Sequence, residues 1–271
     1  MEKILYREYI SKISISKYID VSKLELNIPY IYVLYEDNHI IVVVKPSGIA
    51  SQKDENTEVS LLEILKEYVR EKYNKKGNVY LGLVHRLDVP TTGIMVFAKT
   101  SKAASRLSQE IQKRNIIKKY LVIVKNIVKL NDNKNDDEIS SNILRDRLIK
   151  NSKLKKSYVV NENTKDLKKA KLAELKYNIL EYNYEKNLTL LEVELITGRH
   201  HQIRVQFSHR GYPVLHDSKY DKKYNSKELG LYSYYLEFKH PTKDEVLIFN
   251  ISPKIIGLKL FIDRFNLDNN I

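Results

Sequence analysis

The chain has no cysteine. That absence removes disulfides, thiolate metal sites and a cysteine nucleophile together, so stability has to come from packing and hydrogen bonds. No window approaches the ~18 uninterrupted apolar residues of a membrane helix, and the opening Met1-Glu2-Lys3-Ile4-Leu5-Tyr6-Arg7-Glu8 lacks the apolar stretch of a signal peptide. A cytoplasmic protein is therefore expected. No glycine-rich phosphate loop and no internal repeat occur either. What is present is length and positive charge. The 271 residues suffice for a core that buries roughly 75% of the extended chain's surface. Lys and Arg number 47 against 34 Asp and Glu, a formal net charge of +13 that attracts polyanions. Base composition of the coding DNA could also yield a Lys-, Asn-, Ile- and Tyr-rich chain, so motifs have to decide.

Residues 1 to about 28 show no clear period and read as an extension. Ile40-Ile41-Val42-Val43-Val44, ended by Pro46 and Gly48, is a buried strand. Ser60-Leu61-Leu62-Glu63 is a capping box opening a helix over about 60–73. A short strand over Tyr80–Val84 and another over Ile94–Ala98 flank a polar loop holding His85 to Gly93, a usual place for chemistry. After Thr100-Ser101, Ala103, Ala104, Leu107 and Ile111 mark an amphipathic helix. Tyr120–Val124, Leu188–Leu195 and Val246–Ile251 read as strands. Ile203 and Phe207 define a helix over about 200–210 capped by Gly211. The polar run 131–138 reads as an exposed loop inserted within a domain. Strands at close spacing with irregularly interspersed helices indicate an α+β fold on a mixed, mostly antiparallel sheet.

The segment Gly82-Leu83-Val84-His85-Arg86-Leu87-Asp88-Val89-Pro90-Thr91-Thr92-Gly93-Ile94-Met95-Val96-Phe97-Ala98-Lys99-Thr100 resembles the active-site segment of RluA-type pseudouridine synthases. Four further blocks agree in order: Tyr35 to Gly48, ending Lys45-Pro46-Ser47-Gly48; Lys118-Lys119-Tyr120; Leu195 to Val205, with Thr197-Gly198-Arg199-His200-His201-Gln202-Ile203-Arg204; and Phe238-Lys239-His240-Pro241-Thr242. The resemblance spans about 31–253 and implies a catalytic domain over 29–271 with an active-site cleft across the sheet. It implies Asp88 as the essential carboxylate, Tyr120 as the active-site tyrosine and Arg204 as the arginine that pairs with the aspartate. Arg86 matches the position that takes the place of the flipped base. His85, Lys45, Arg199, Lys118 and Lys119 are expected to face RNA, although Lys45 also has a structural reading.

The implied reaction isomerises uridine in ribosomal or transfer RNA, changes no oxidation state and calls for no cofactor. A monomer is the default expectation. The chain departs from the family pattern at Val89, Thr92 and His200, and Leu215-His216-Asp217 stands where a Gly-Asp pair is expected. The 28 leading residues are fewer than the ~50 that a small independent RNA-binding module needs. Two other readings compete. A metal hydrolase is suggested by His200, His201, His209 and His216, but helical zinc ligation needs His at i and i+4 with a Glu between, and position 204 is Arg. A non-catalytic RNA-binding protein on the same fold needs no acid, whereas Asp88, Tyr120 and Arg204 occur together.

Overall fold

The computed structural model describes residues 1–18, 26–53, 57, 59–129, 142–161, 165–221 and 228–265. The loop expected over 131–138 lies outside them. In chain order the strands are β1 (Glu2–Tyr6), β2 (Ser11–Ser14), β3 (Tyr30–Glu36), β4 (Ile40–Lys45), β5 (Gly82–Leu83), β6 (Thr92–Ala98), β7 (Ile117–Lys125), β8 (Ile143–Asn151), β9 (Lys156–Val159), β10 (Lys171–Asn183), β11 (Leu188–Leu195), β12 (Leu231–Lys239) and β13 (Glu245–Asn250). The α-helices are α1 (Leu61–Lys72), α2 (Ser101–Gln112), α3 (Gln202–His209) and α4 (Lys259–Phe265). The chain divides into two compact units. One comprises residues 1–118 and 232–262, the other 119–231 and 263–265, among those described.

In the first unit β4 and β6 are buried along their whole length, on both faces, and pair antiparallel from Ile40 opposite Ala98 to Lys45 opposite Gly93. β-Branched residues suit such a strand because their stiff side chains pack on the pleat. β3 flanks β4, β2 flanks β3, and β13 joins β12 to β1. β6 pairs parallel with β12, and β1 pairs parallel with β13. β1 and β2, within the leading segment read from sequence as an extension, are strands of this sheet.

Both helices start as their caps dictate. Glu63 accepts from the Ser60 amide at 3.0 Å, and the Thr100 hydroxyl accepts from the Ala103 amide at 3.2 Å. α1 buries Leu61, Ile64, Leu65 and Val69; α2 buries Ala103 and Leu107 and packs on β5 and β6.

The second unit is an antiparallel sheet in the order β7-β11-β10-β8-β9. α3 packs against β8 and β9. Its Val205 joins Leu148 and Ala173 in an apolar cluster closed by Val159 and Tyr220. The helix ends as expected, with Gly211 at φ +83°, a conformation that glycine adopts without steric cost. The mixed, mostly antiparallel sheet with its few helices is the α+β arrangement expected from the sequence.

Candidate active site

Asp88 is half-buried in the loop between β5 and β6. A turn closed by the Thr91 amide on the Asp88 carbonyl at 3.0 Å shapes the loop. The neighbours of Asp88 on both sides are clamped by the segment that follows β4. A single hydroxyl, that of Ser51, donates to the Leu87 carbonyl at 2.9 Å and accepts from the Leu87 amide at 3.1 Å. The Gly48 amide donates to the Val89 carbonyl at 3.0 Å, and the Ser47 hydroxyl donates to the Pro90 carbonyl, also at 3.0 Å. Asn27 ties the clamp together, accepting from the Ser47 amide at 2.9 Å and donating to the Thr92 hydroxyl at 3.0 Å. Backbone bonds on Leu87, Val89 and Pro90 fix where the carboxylate leaves the chain, which is what preorganisation of a reactive group requires.

Lys45 completes the clamp from beneath. It is fully buried, and its ammonium donates to the carbonyls of Pro46 and Ile49 at 2.8 Å and of Val89 at 3.0 Å. Three acceptors meet the three donors of an ammonium. Burial pushes its pKa down to about 7, while the negative charge of Asp88 pushes it back up. A side chain with no exposed surface has none to offer RNA, so the RNA-facing role expected for Lys45 gives way to a structural one.

His85 also differs from expectation. Its Nε2 accepts from the Val96 amide at 3.1 Å, which places the ring proton on Nδ1. Desolvation, with a smaller contribution from the Lys118 charge, holds its pKa well below the usual value. It anchors the loop to β6 as a neutral ring and supplies no positive charge for phosphate near neutral pH. Arg86 is exposed. Burial lowers the Lys118 ammonium to about 8.

In the second unit Tyr120 lies on β7 opposite Val193 and is buried. Its neighbour Lys119 pairs with Glu192 at 3.2 Å. Arg204 is buried on α3 and forms a bidentate pair with Asp217, Nε to Oδ2 and Nη2 to Oδ1, both at 2.7 Å. Its guanidinium lies 5.5 Å from the centre of the Tyr220 ring. Asp217 further accepts from the amides of Lys219 and Tyr220 at 3.0 and 3.2 Å. The Tyr220 hydroxyl accepts from the Ser157 amide at 2.7 Å and meets His201 Nδ1 at 3.0 Å. Arg199 Nε donates to the Leu172 carbonyl at 2.8 Å, and its amide donates to Gln202 at 3.0 Å.

Sequence reasoning missed Asp217 and Tyr220 as supports of Arg204, and Ser47, Ser51 and Asn27 as supports of the Asp88 loop. The departure at His216 is informative. It holds φ +64°, a left-handed conformation suited to the glycine expected there, and its Nδ1 is tied to the Glu228 carbonyl at 3.0 Å. His200 Nδ1 is likewise engaged, by the Ser157 hydroxyl at 2.9 Å. Among the described residues no three His, Asp or Glu side chains gather as a metal-ligand set.

The architecture is that of the pseudouridylate synthases. Human RNA pseudouridylate synthase domain containing 4 superposes with a TM-score of 0.67 at 21% identity, over 87% of this chain and 93% of its own. Human RNA pseudouridylate synthase domain containing 1 gives 0.62 at 19%, over 84% and 86%.

Sequence comparison gives the family. The RNA pseudouridylate synthase profile matches residues 39–209. An uncharacterized RNA pseudouridine synthase of Aquifex aeolicus (strain VF5) is 38% identical over 237 residues, 83% of this chain and 70% of the relative. The ribosomal large subunit pseudouridine synthase C of Buchnera aphidicola subsp. Baizongia pistaciae is 31% identical over 225 residues, covering 80% and 65%, and that of Haemophilus influenzae is 30% identical over 228, covering 81% and 64%. This chain belongs to the RNA pseudouridylate synthase family, and it spans about two thirds of the length of these relatives.

Proposed function

We propose that the protein converts uridine to pseudouridine within RNA, with Asp88 as the reacting carboxylate. The observation that carries this reading is the clamp on the Asp88 loop: Leu87, Val89 and Pro90 are each held by a hydrogen bond to the backbone. An acid serving only as a turn-former would not need its neighbours fixed in this way. The isomerisation breaks the bond between ribose and the uracil ring nitrogen, turns the ring and rejoins it through carbon. A nucleophilic carboxylate divides that change into easier steps, and neither a redox cofactor nor a metal is required by the atom balance.

Tyr120 offers a ring for the extracted uracil and a hydroxyl for a reacting proton. Arg204 supplies the fixed fork that keeps a carboxylate ionised, and its orientation is set by Asp217. Arg86 fills the space that the flipped base vacates. Arg199, Lys118 and Lys119 contact the RNA. Relatives named for the large ribosomal subunit favour ribosomal RNA as the substrate over transfer RNA. A ribosomal RNA substrate supports a cytoplasmic location, and the chemistry assigned to one chain needs no second copy.

The test is Asp88→Asn. RNA affinity should stay within about twofold, because phosphate contacts dominate it, while product disappears. Equal product from both proteins would refute the assignment.

A further inference from the structure

The edge of the first unit's sheet carries a feature that the Asp88 chemistry does not use. β2 runs antiparallel to β3, placing Lys12 opposite Tyr32 and Ser14 opposite Tyr30. The Lys12 ammonium sits 5.0, 5.4 and 5.2 Å from the ring centres of Tyr9, Tyr30 and Tyr32. The Tyr9 and Tyr32 rings lie 4.8 Å apart, tilted by 55°. Tyr32 is buried, whereas Lys12 and Tyr30 are exposed, Tyr30 by 38%.

An edge lysine by itself guards against strand addition, and a buried tyrosine by itself is core. Neither explains why a second and a third ring converge on the same cation with one of them left in water. An aromatic face beside an exposed positive charge is the pairing that holds single-stranded nucleic acid, the ring stacking on a base and the cation meeting its phosphate.

The register places this patch relative to Asp88. Tyr32 lies opposite Val44, the residue before Lys45, whose ammonium holds the Val89 carbonyl next to Asp88. Asn27, just before β3, binds both Ser47, in the segment that clamps the Asp88 loop, and Thr92, at the end of that loop. The patch is therefore at the same end of the sheet as the loop. At the usual strand spacing, β2 is roughly 10 Å from β4, within reach of nucleotides flanking a target.

We propose that Tyr9, Tyr30 and Lys12 form an accessory site for single-stranded RNA next to the modified uridine, with a base stacked on Tyr30 and Lys12 on the adjoining phosphate. This rests on the RNA reading given above. It gives the leading residues a role in substrate binding, in keeping with the chain's excess of positive charge.

The test is fluorescence anisotropy with a labelled single-stranded oligouridylate and, separately, with an RNA duplex of the same length. Tyr30→Ala and Lys12→Glu should each weaken single-strand binding about tenfold, Tyr30→Phe should retain it, and duplex binding should not change. Lys12→Glu alters an exposed side chain, so it reports even if Tyr30→Ala unfolds the edge. Single-strand affinity within about twofold of wild type in a folded Lys12→Glu protein would overturn the proposal. Pseudouridine formation by the wild type is scored separately. If it fails while the oligouridylate result holds, the catalytic reading falls and the patch stands. The reverse pattern removes the patch alone.

Discussion

Replacing Lys45 with methionine keeps the length of the side chain and deletes its ammonium. The Val89 carbonyl keeps the Gly48 amide at 3.0 Å, but the Pro46 and Ile49 carbonyls lose the donor at 2.8 Å. A buried acceptor left without a partner costs about 1–3 kcal/mol, so two of them put the loss near 3 kcal/mol. The cost should grow with pH. With its native pKa at about 7 and the ordinary value at 10.5, Lys45 gives up its proton in the folded state while the unfolded chain still holds it. Wild-type stability contributed by this group therefore rises as pH increases from about 7 towards 10.5, by at most about 1.4 kcal/mol per unit, and Lys45→Met has no such rise. Urea unfolding of both proteins at about pH 7 and about pH 9 measures the gap, and single-turnover pseudouridine formation should slow because Val89, beside Asp88, is held by one bond fewer. A variant within about 0.5 kcal/mol of wild type at both pH values, or a gap that narrows as pH rises, would refute the reasoning.

Asp217→Asn removes the carboxylate that holds both Nε and Nη2 of the buried Arg204 guanidinium, and the lost charge-assisted hydrogen bonds should cost about 1.5–3 kcal/mol in urea unfolding, with a larger fall in turnover than in RNA affinity. Gly93→Ala would place a Cβ 2.4 Å from Ser233 Cβ and 2.7 Å from its backbone nitrogen and oxygen, forcing β6 and β12 apart where they pair. A lowered thermal midpoint equivalent to about 1–3 kcal/mol is expected, since neither backbone can yield without losing its pairing. Tyr220→Phe removes the hydroxyl that meets the Ser157 amide and His201 but keeps the ring beside Arg204, so stability should drop by about 1–2 kcal/mol with RNA affinity unchanged.

What could be read from sequence follows how much each element buries. β4 and β11 were plain because their apolar runs lie in the middle of a sheet, and α1 and α2 because Ser60, Glu63 and Thr100 announce their starts. β1 and β2 were not, since strands near the sheet's edge bury little and in β2 only Ile13 is fully covered. β8 reads Ile-Leu-Arg-Asp-Arg-Leu-Ile-Lys-Asn, too charged to signal a strand, and β10 carries a register shift between Ile179 and Glu181 that breaks its two-residue period. Asp88 stood out because motif blocks surround it. Asp217 did not, because its bond to Arg204 spans 13 residues from a turn to a helix and leaves no periodic trace. For Lys45 the sequence left a structural and an RNA-facing reading open, because a lysine usually looks like a surface charge, and the three carbonyls converging on it favour the structural one.

The central claim is that Asp88 isomerises uridine in RNA, and mapping pseudouridines across ribosomal and transfer RNA tests it most directly. The cells to compare lack the gene or carry it as wild type or as Asp88→Asn. The account predicts at least one site, in the large-subunit ribosomal RNA, that vanishes on deletion and returns with wild type alone. A site restored equally by Asp88→Asn, or no site that changes in either RNA class, would contradict it.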